Sequence, residues 1–199
     1  MRKFILMCLA CLTGLFILGE KEIFAQEKTS FYVGASLINT WNQLDESHTE
    51  NLFIGKVTVD YDDSFGVKLR GGIILNEYFS AEGFVEYIAP FESELEAGYK
   101  TKIDVFNIGA SAKCTVPLKE FFVPYFSYGM GIMNSYEKIS GPHFTKKTDW
   151  GIGSRLAIGS DIIYQHHYSV NFEIEHVLGF GNVDHIQYTN ISLGAAYRF

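Results

Sequence analysis

The feature that most constrains this chain is a two-residue alternation of apolar with polar or small side chains, which recurs in eight segments. Successive side chains of a β-strand point to opposite faces of the sheet, so each segment reads as a strand with one apolar face. The segments fall near residues 31–37, 65–73, 79–87, 106–116, 121–134, 150–159, 170–176 and 191–199. The fold class is therefore all-β.

The connections between the segments alternate in length. Short turns at 76–77, 117–120 and 164–167 follow the second, fourth and sixth segments. Longer polar connections follow the odd-numbered segments, at 39–63, 92–100, 135–147 and 179–185. Short turns on one rim and long loops on the other are typical of transmembrane barrels. The pattern predicts an eight-stranded antiparallel up-and-down β-barrel that spans a membrane.

A soluble lipocalin-like barrel is the alternative, because alternation alone does not say which face lies inside. Two observations favour the membrane barrel. The polar faces carry many Gly, Ala and Ser residues, which suit a narrow interior. Aromatic residues recur near the strand ends, as interface girdles require: Phe79, Tyr87, Phe121, Trp150, Tyr168, Tyr197 and Phe199.

The N-terminus has the layout of a secretory signal peptide. Arg2 and Lys3 precede an apolar run over residues 4–19, and Ala25 is a plausible cleavage residue. The run is short for a membrane-spanning helix, so an uncleaved anchor is the lesser alternative. We predict a signal peptide over residues 1–25 and a barrel domain over residues 26–199.

The polar faces carry charges of both signs. With the apolar faces outward, five cations and four carboxylates point into the barrel: Lys68, Arg70, Lys113, Arg155 and Arg198, with Glu82, Glu86, Glu173 and Glu175. An eight-stranded barrel is only just wide enough for side chains to fill it, and unpaired charges there would be costly. A paired, plugged interior is the favoured interpretation, and a gated polar path is the alternative.

No residue spacing indicates a cofactor, a metal or a catalytic group. His166 and His167 lie in a turn, and the remaining histidines are scattered. Outer-membrane lipid A deacylases place a serine two residues after a histidine, but Leu178 occupies that position after His176. The net charge of −7 argues against a nucleic-acid partner. We therefore predict a protein that is not an enzyme and has no cofactor.

Several segments resemble the OmpA-type family of small outer-membrane β-barrel proteins. They are residues 66–72 (GVKLRGG), 76–83 (NEYFSAEG), 124–131 (PYFSYGMG) and the C-terminal Tyr197-Arg198-Phe199. The ending, with Ser192, Gly194, Tyr197 and Phe199, is similar to the C-terminal signal of bacterial outer-membrane barrels. The resemblance implies a place in the outer membrane of a Gram-negative bacterium, among lipid and lipopolysaccharide, and recognition of this ending by the barrel assembly machinery.

The functional hypothesis is a structural or surface-interaction role through extracellular loops, with an unidentified extracellular partner. In the acidic connection 39–63, Trp41, Phe53 and Tyr61 are the candidate contact residues. A narrow porin-like channel is the second hypothesis. A lipid-modifying enzyme is a weaker third.

Overall fold

The computed structural model describes residues 30–42, 62–95, 99–116, 118, 121–140, 145–165 and 167–199. Eight strands follow one another along the chain: β1 Ser30–Asn42, β2 Ser64–Ile74, β3 Phe79–Leu95, β4 Tyr99–Thr115, β5 Phe122–Ser140, β6 Thr145–Tyr164, β7 Tyr168–Gly181 and β8 Gln187–Arg198. The predicted signal peptide lies outside the described residues. No helix among the described residues is long and apolar enough to cross a membrane.

The strands close into one antiparallel barrel. Each strand pairs with the next along the chain, and β8 returns to pair with β1, where Leu37 lies opposite Leu193. Closure leaves no open sheet edge, so every strand can satisfy its backbone hydrogen bonds within the barrel. The predicted eight-stranded up-and-down barrel is confirmed.

The outside of the barrel is apolar and its inside is polar. Leu37 and Phe65, which face outward, are 73% and 71% exposed, whereas Lys68 and Glu86, which face inward, are 3% and 0% exposed. A soluble barrel would show the opposite arrangement, because its apolar side chains would fill the interior. The lipocalin-like alternative is therefore excluded.

Outward-facing aromatic side chains mark two levels on the wall. The end of the barrel with the start of β1, the end of β8 and the connections 75–78, 116–121 and 165–167 is called the turn rim. The opposite end, with connections 43–63, 96–98, 141–144 and 182–186, is the loop rim. Phe121, Tyr168 and Phe199 are exposed near the turn rim, and Tyr87 and Trp150 are exposed on the side of the loop rim. We call the apolar outer surface between these two levels the apolar belt. The two aromatic levels border it as the interfacial girdles of membrane barrels do.

Two of the predicted polar connections belong to strands instead. Most of 92–100 lies in the β3–β4 hairpin, and most of 135–147 lies in the β5–β6 hairpin. The strands continue beyond the apolar belt, where both faces meet polar surroundings and the sequence alternation fades. At the other two connections, β1 continues to Asn42 and β7 to Gly181.

A bulge in β3 accounts for part of this difference. The register against β4 shifts between Ile88 and Phe91, where Pro90 interrupts the ladder. Proline cannot donate a ladder hydrogen bond and is tolerated at bulges. The extra residue reverses the faces, so that Ile88 and Phe91 are both fully buried.

Candidate functional site: the barrel interior

A cluster of five charged side chains fills the middle of the barrel. It consists of Lys68 from β2, Glu86 from β3, Arg155 from β6, and Glu173 and Glu175 from β7, which we call the central cluster. All five side chains are buried. They meet because each occupies an inward position of its strand and because an eight-stranded barrel is narrow.

Both cations of the central cluster bridge several carboxylates. The Lys68 ammonium lies 2.7 Å from Glu173, 3.0 Å from Glu175 and 3.8 Å from Glu86. Arg155 donates to Glu86 at 2.6 Å and also to Glu175. Charge-assisted hydrogen bonds of this kind offset part of the cost of removing charges from water.

Neutral side chains satisfy further oxygens of the cluster. The Tyr188 hydroxyl donates to Glu86 at 2.8 Å, and the Tyr125 hydroxyl donates to Glu173 at 2.9 Å. Asn190 donates to Glu175 at 3.2 Å. The central cluster is therefore cross-linked to β5 and β8 as well as to its own strands.

A second group of charges lies toward the turn rim. We call Arg70, Glu82, Lys113, Asp161 and Arg198 the lower cluster. Asp161 lies 2.8 Å from Lys113 and 3.6 Å from Arg198, and Arg70 lies 3.9 Å from Glu82. Glu82 also accepts a hydrogen bond of 2.6 Å from Tyr32. A cavity of about 480 Å³ borders this cluster, and Asn76 and Glu77 of the turn rim line its outer part.

The structure thus places all nine sequence-predicted charges on the inner wall and adds Asp161. Asp161 is 5% exposed and continues the two-residue series of Arg155 along β6. The sequence analysis ended that strand at residue 159 and missed it. Following the same spacing two residues further would have found it. With Asp161, the two clusters contain five cations and five carboxylates.

Between the central cluster and the loop rim, buried apolar side chains collect in the interior beside polar ones such as Thr40 and Asn107. Ten buried side chains form what we call the apolar layer: Ile38, Ile88, Phe91, Ile103, Val105, Met133, Val177, Val183, Ile186 and Tyr188. Val183 and Ile186 come from the connection between β7 and β8, which folds into the barrel mouth, and both are fully buried. The sequence analysis did not predict this layer.

Of the three predicted loop contact residues, one lies within the described residues and two lie outside them. Trp41 lies on β1 rather than in the loop, and it is 38% exposed. Phe53 and Tyr61 lie outside the described residues. The connection 43–61 as a whole is likewise not described.

The predicted assembly residues divide between the two faces of β8. Ser192 is buried against the interior, and Tyr197 and Phe199 face outward with ring centroids 5.0 Å apart. Gly194 lies where a Cβ atom would come within 2.1 Å of the Ser36 hydroxyl oxygen. That close approach explains glycine at this position.

His176 and Leu178, the two positions compared with the deacylase motif, lie on β7. His176 hydrogen-bonds through Nδ1 to Thr189 at 3.0 Å, and Leu178 faces outward. In the described ranges, no group of three or more His, Cys, Asp or Glu side chains could hold a metal ion. The interior therefore supports ion pairing more directly than it supports any reaction.

Comparison with known proteins identifies the family of the chain. A family model for the outer membrane protein beta-barrel domain matches residues 8–199. The chain belongs to this family. Its location is the bacterial outer membrane, and the resemblance to small OmpA-type barrels is confirmed. In this family the short turns face the periplasm and the loop rim faces the outside of the cell.

Solved structures of other outer-membrane barrels share the fold. Neisserial surface protein A (NspA) superposes with a TM-score of 0.65 at 14% identity, covering 87% of this chain and 100% of that one. OprG from Pseudomonas aeruginosa gives 0.58 at 13% identity, with 87% and 97% covered. Ail, the attachment invasion locus protein of Yersinia pestis, gives 0.53 at 13% identity, with 86% and 97% covered. No curated protein sequence matches the chain.

Proposed function

We propose that this protein has a structural or surface-interaction role in the outer membrane, with no enzymatic activity, and that it acts through its extracellular loops around a closed interior. The observation that carries the proposal is the pairing of charges across the barrel. Lys68 and Arg155 together contact three carboxylates of the central cluster. Side chains held this tightly leave little room for a solute.

The apolar layer supports closure by a second physical means. An ion that crosses it would lose hydration and gain only a few neutral partners such as Thr40 and Asn107, which is unfavourable. Val183 and Ile186 complete the layer from the loop rim. Water and solutes from the cavity at the turn rim would therefore stop below it.

The proposed surface role is supported by the parts of the chain at the loop rim. The hairpins β3–β4 and β5–β6 extend past the apolar belt, and the acidic connection 43–61 begins beside exposed Trp41. Loops on a rigid barrel are free to vary in sequence and to bind without disturbing the fold. Trp41, Phe53 and Tyr61 remain the proposed contact residues.

The C-terminal strand has a separate proposed partner. Recognition by the barrel assembly machinery would use the outward pair Tyr197 and Phe199. Their rings are exposed on the wall near the turn rim, where a periplasmic factor has access. Lipopolysaccharide is the proposed surrounding of the opposite rim.

A narrow channel remains the second candidate because of the 480 Å³ cavity. Arg70 and Lys113 line this cavity together with apolar residues such as Ile74, so its wall offers charged groups on a partly apolar surface. A rearrangement of the central cluster and of the apolar layer would extend it through the barrel. The channel hypothesis therefore requires both barriers to move.

Single-channel conductance in a planar bilayer separates the two candidates. Protein whose unboiled gel mobility shows a folded barrel should give no reproducible steps. A Val183→Asp/Ile186→Asp variant, which breaches the apolar layer, serves as the comparison for partial opening. Reproducible steps from wild type that change with Glu82→Gln or Arg70→Gln would instead support the channel.

Deleting residues 43–60 tests the surface role. The folded, heat-modifiable form should persist, because the deleted residues lie between strands. Attachment is the chosen readout because the structurally similar barrel Ail is named as an attachment protein. Attachment of the expressing bacteria to a cell layer should fall to that of cells without the protein. Adhesion equal to that with the full chain would contradict a role for this loop.

A further inference from the structure

The cavity at the turn rim is lined by a buried arginine that is only weakly paired. Arg70 borders this cavity and is 5% exposed. The Glu82 oxygen nearest to it lies 3.9 Å from Nη1, beyond hydrogen-bond distance, and its buried Nε atom has no hydrogen-bond partner. A buried donor without a partner is costly. An acceptor that enters the cavity would therefore be bound favourably by this guanidinium group.

The arginine of the central cluster provides a contrast. Arg155 also has an unpaired Nε atom, but its Nη2 atom donates to both Glu86 and Glu175. The Glu82 oxygen that faces Arg70 accepts instead a hydrogen bond of 2.6 Å from the Tyr32 hydroxyl. Arg70 therefore lacks the direct carboxylate contacts that hold Arg155.

The other charges at the cavity are paired through a single oxygen. Asp161 Oδ2 lies 2.8 Å from the Lys113 ammonium and 3.6 Å from Arg198 Nη2, whereas Asp161 Oδ1 has no hydrogen-bond partner. Lys113 also lies 3.4 Å from the ring centroid of Tyr125. Glu77 adds a carboxylate at the outer part of the cavity, where its side chain is exposed. Inside that position, the lower cluster carries one more cation than carboxylates.

The rest of the cavity wall suits the body of a small organic molecule. Ile74, Val123 and Ile163 contribute apolar side chains, and Ser80 and Ser169 contribute hydroxyl groups. The volume of about 480 Å³ is within the range of small-molecule sites. Because the cavity reaches the turn rim, which faces the periplasm, a ligand needs no passage through the barrel.

We infer that this cavity is a periplasm-facing binding site for a small organic anion with one carboxylate group and an apolar body. A guanidinium group can donate two parallel hydrogen bonds to a carboxylate, and Arg70 is the group available for this. One carboxylate neutralises the excess cation of the lower cluster. A phosphate dianion would bring a second negative charge toward Asp161 Oδ1. The site is separate from the loop-mediated role and requires no conduction, so each can fail without the other.

The test compares four compounds that share one phenyl ring: benzoate, benzamide, benzylamine and phenyl phosphate. Isothermal titration calorimetry measures their binding to the folded protein in lipid nanodiscs, and protein-free nanodiscs correct for partition into lipid. Benzoate should bind roughly tenfold more tightly than benzamide, because only benzoate offers a charged acceptor to Arg70. Benzylamine and phenyl phosphate should bind more weakly than benzoate.

Three variants locate the site. Arg70→Gln should weaken benzoate binding roughly tenfold or more, to the level of benzamide. Ser80→Leu retains every charge and fills the cavity, so it should abolish binding of benzoate and benzamide alike. Lys147→Gln removes one cation at the opposite rim and should leave benzoate binding unchanged. Gel mobility of unboiled samples confirms that each variant is folded, and Ser80→Leu decides the location if Arg70→Gln does not fold.

Four outcomes would overturn the inference. Equal binding of benzoate and benzamide would show that the carboxylate is not recognised. Tighter binding of benzylamine would assign the cavity to cations, through Asp161 and Glu77. Phenyl phosphate bound as tightly as benzoate would contradict the selection of a single negative charge. Binding of none of the four compounds, or benzoate binding that persists in Ser80→Leu, would mean that the cavity is not a ligand site.

Discussion

At the residue scale, Arg155 is the clearest example of a side chain whose role comes from its surroundings. Its guanidinium group donates to Glu86 and Glu175 and lies 3.7 Å from the ring centroid of Phe84. Removing one partner from a buried ion pair is more costly than replacing the whole pair, because it leaves a buried charge uncompensated. The loss of Arg155 should therefore strongly disturb the interior.

We expect Arg155→Ala to reduce the free energy of unfolding by about 3–5 kcal/mol, because Glu86 and Glu175 lose one of the two cations that they share and Lys68 alone is left for three carboxylates. Urea titration of the folded form in detergent, followed by gel mobility, measures the change. Lys147→Ala is the control, since its ion pair with Asp149 is exposed and should contribute less than about 1 kcal/mol. Arg155→Met/Glu175→Gln should recover part of the loss. A loss in Arg155→Ala no larger than in the control would contradict the buried pairing.

Which single residues face the interior was largely predictable from alternation. Lys68, Glu173 and Arg155 are all buried where the two-residue period placed them. Their pairing was not predictable, because a period assigns a face but not a height along the barrel axis. The apolar layer was not predicted from the sequence, for a related reason. Val105 and Met133 each adjoin an outward apolar residue, so alternation disappears where both faces are apolar.

At the scale of an element, the β7–β8 connection is shaped by a glycine. A Cβ atom at position 179 would lie 1.9 Å from the backbone oxygen of Val183. The Gly179 N–H group also donates to the Ile186 carbonyl at 2.8 Å. Only a residue without a side chain lets the connection fold this close to β7 and place Val183 and Ile186 in the barrel mouth.

Gly179→Ala should therefore destabilise the protein by about 1–3 kcal/mol through overpacking. Gly83→Ala is the matched control, because a Cβ atom there has no neighbour closer than 3.9 Å. That substitution should be neutral or stabilise by up to about 1 kcal/mol. Urea midpoints of the two variants check the difference. Equal midpoints would mean that the connection packs elsewhere than against β7.

Strand ends were the least predictable elements. Within the apolar belt, one face meets lipid and the other meets a mostly polar interior, so the alternation holds except beside the apolar layer. Beyond the belt, stretches such as 135–140 are strand in a polar setting, where sequence composition resembles that of a loop. The bulge at Pro90 further reverses the faces of β3, which a fixed period does not anticipate.

At the scale of the whole molecule, closure depends on the last strand meeting the first. Val33 pairs with Tyr197, and the Phe199 N–H group donates to the Phe31 carbonyl at 2.9 Å. This pairing joins residues from opposite ends of the chain, so it forms late unless it is assisted. The number of strands and the closure of the barrel were predictable from the eight segments and the short turns. The side-chain contacts of the interior were not needed for that prediction.

Phe199→Ala should separate assembly from stability. The ring is 68% exposed, so the variant refolded in detergent should keep its urea midpoint within about 1 kcal/mol of wild type. The amount of folded protein in the outer membrane of cells should fall several-fold if the assembly machinery reads this residue. Leu118→Ala, which also removes an exposed apolar side chain, is the control for cellular levels. Equal levels for both variants would argue against recognition of Phe199.

The tall hairpins have a consequence for how the barrel enters the bilayer. Their upper portions, including Lys100, Lys102, Lys138, Lys146 and Glu92, start on the periplasmic side and end outside the cell. Each of these charges has to cross the membrane during insertion, and any contact with hydrocarbon on the way would be expensive. The charges that extend the hairpins beyond the lipid should therefore oppose insertion of the chain and, once the hairpins are across, oppose their withdrawal.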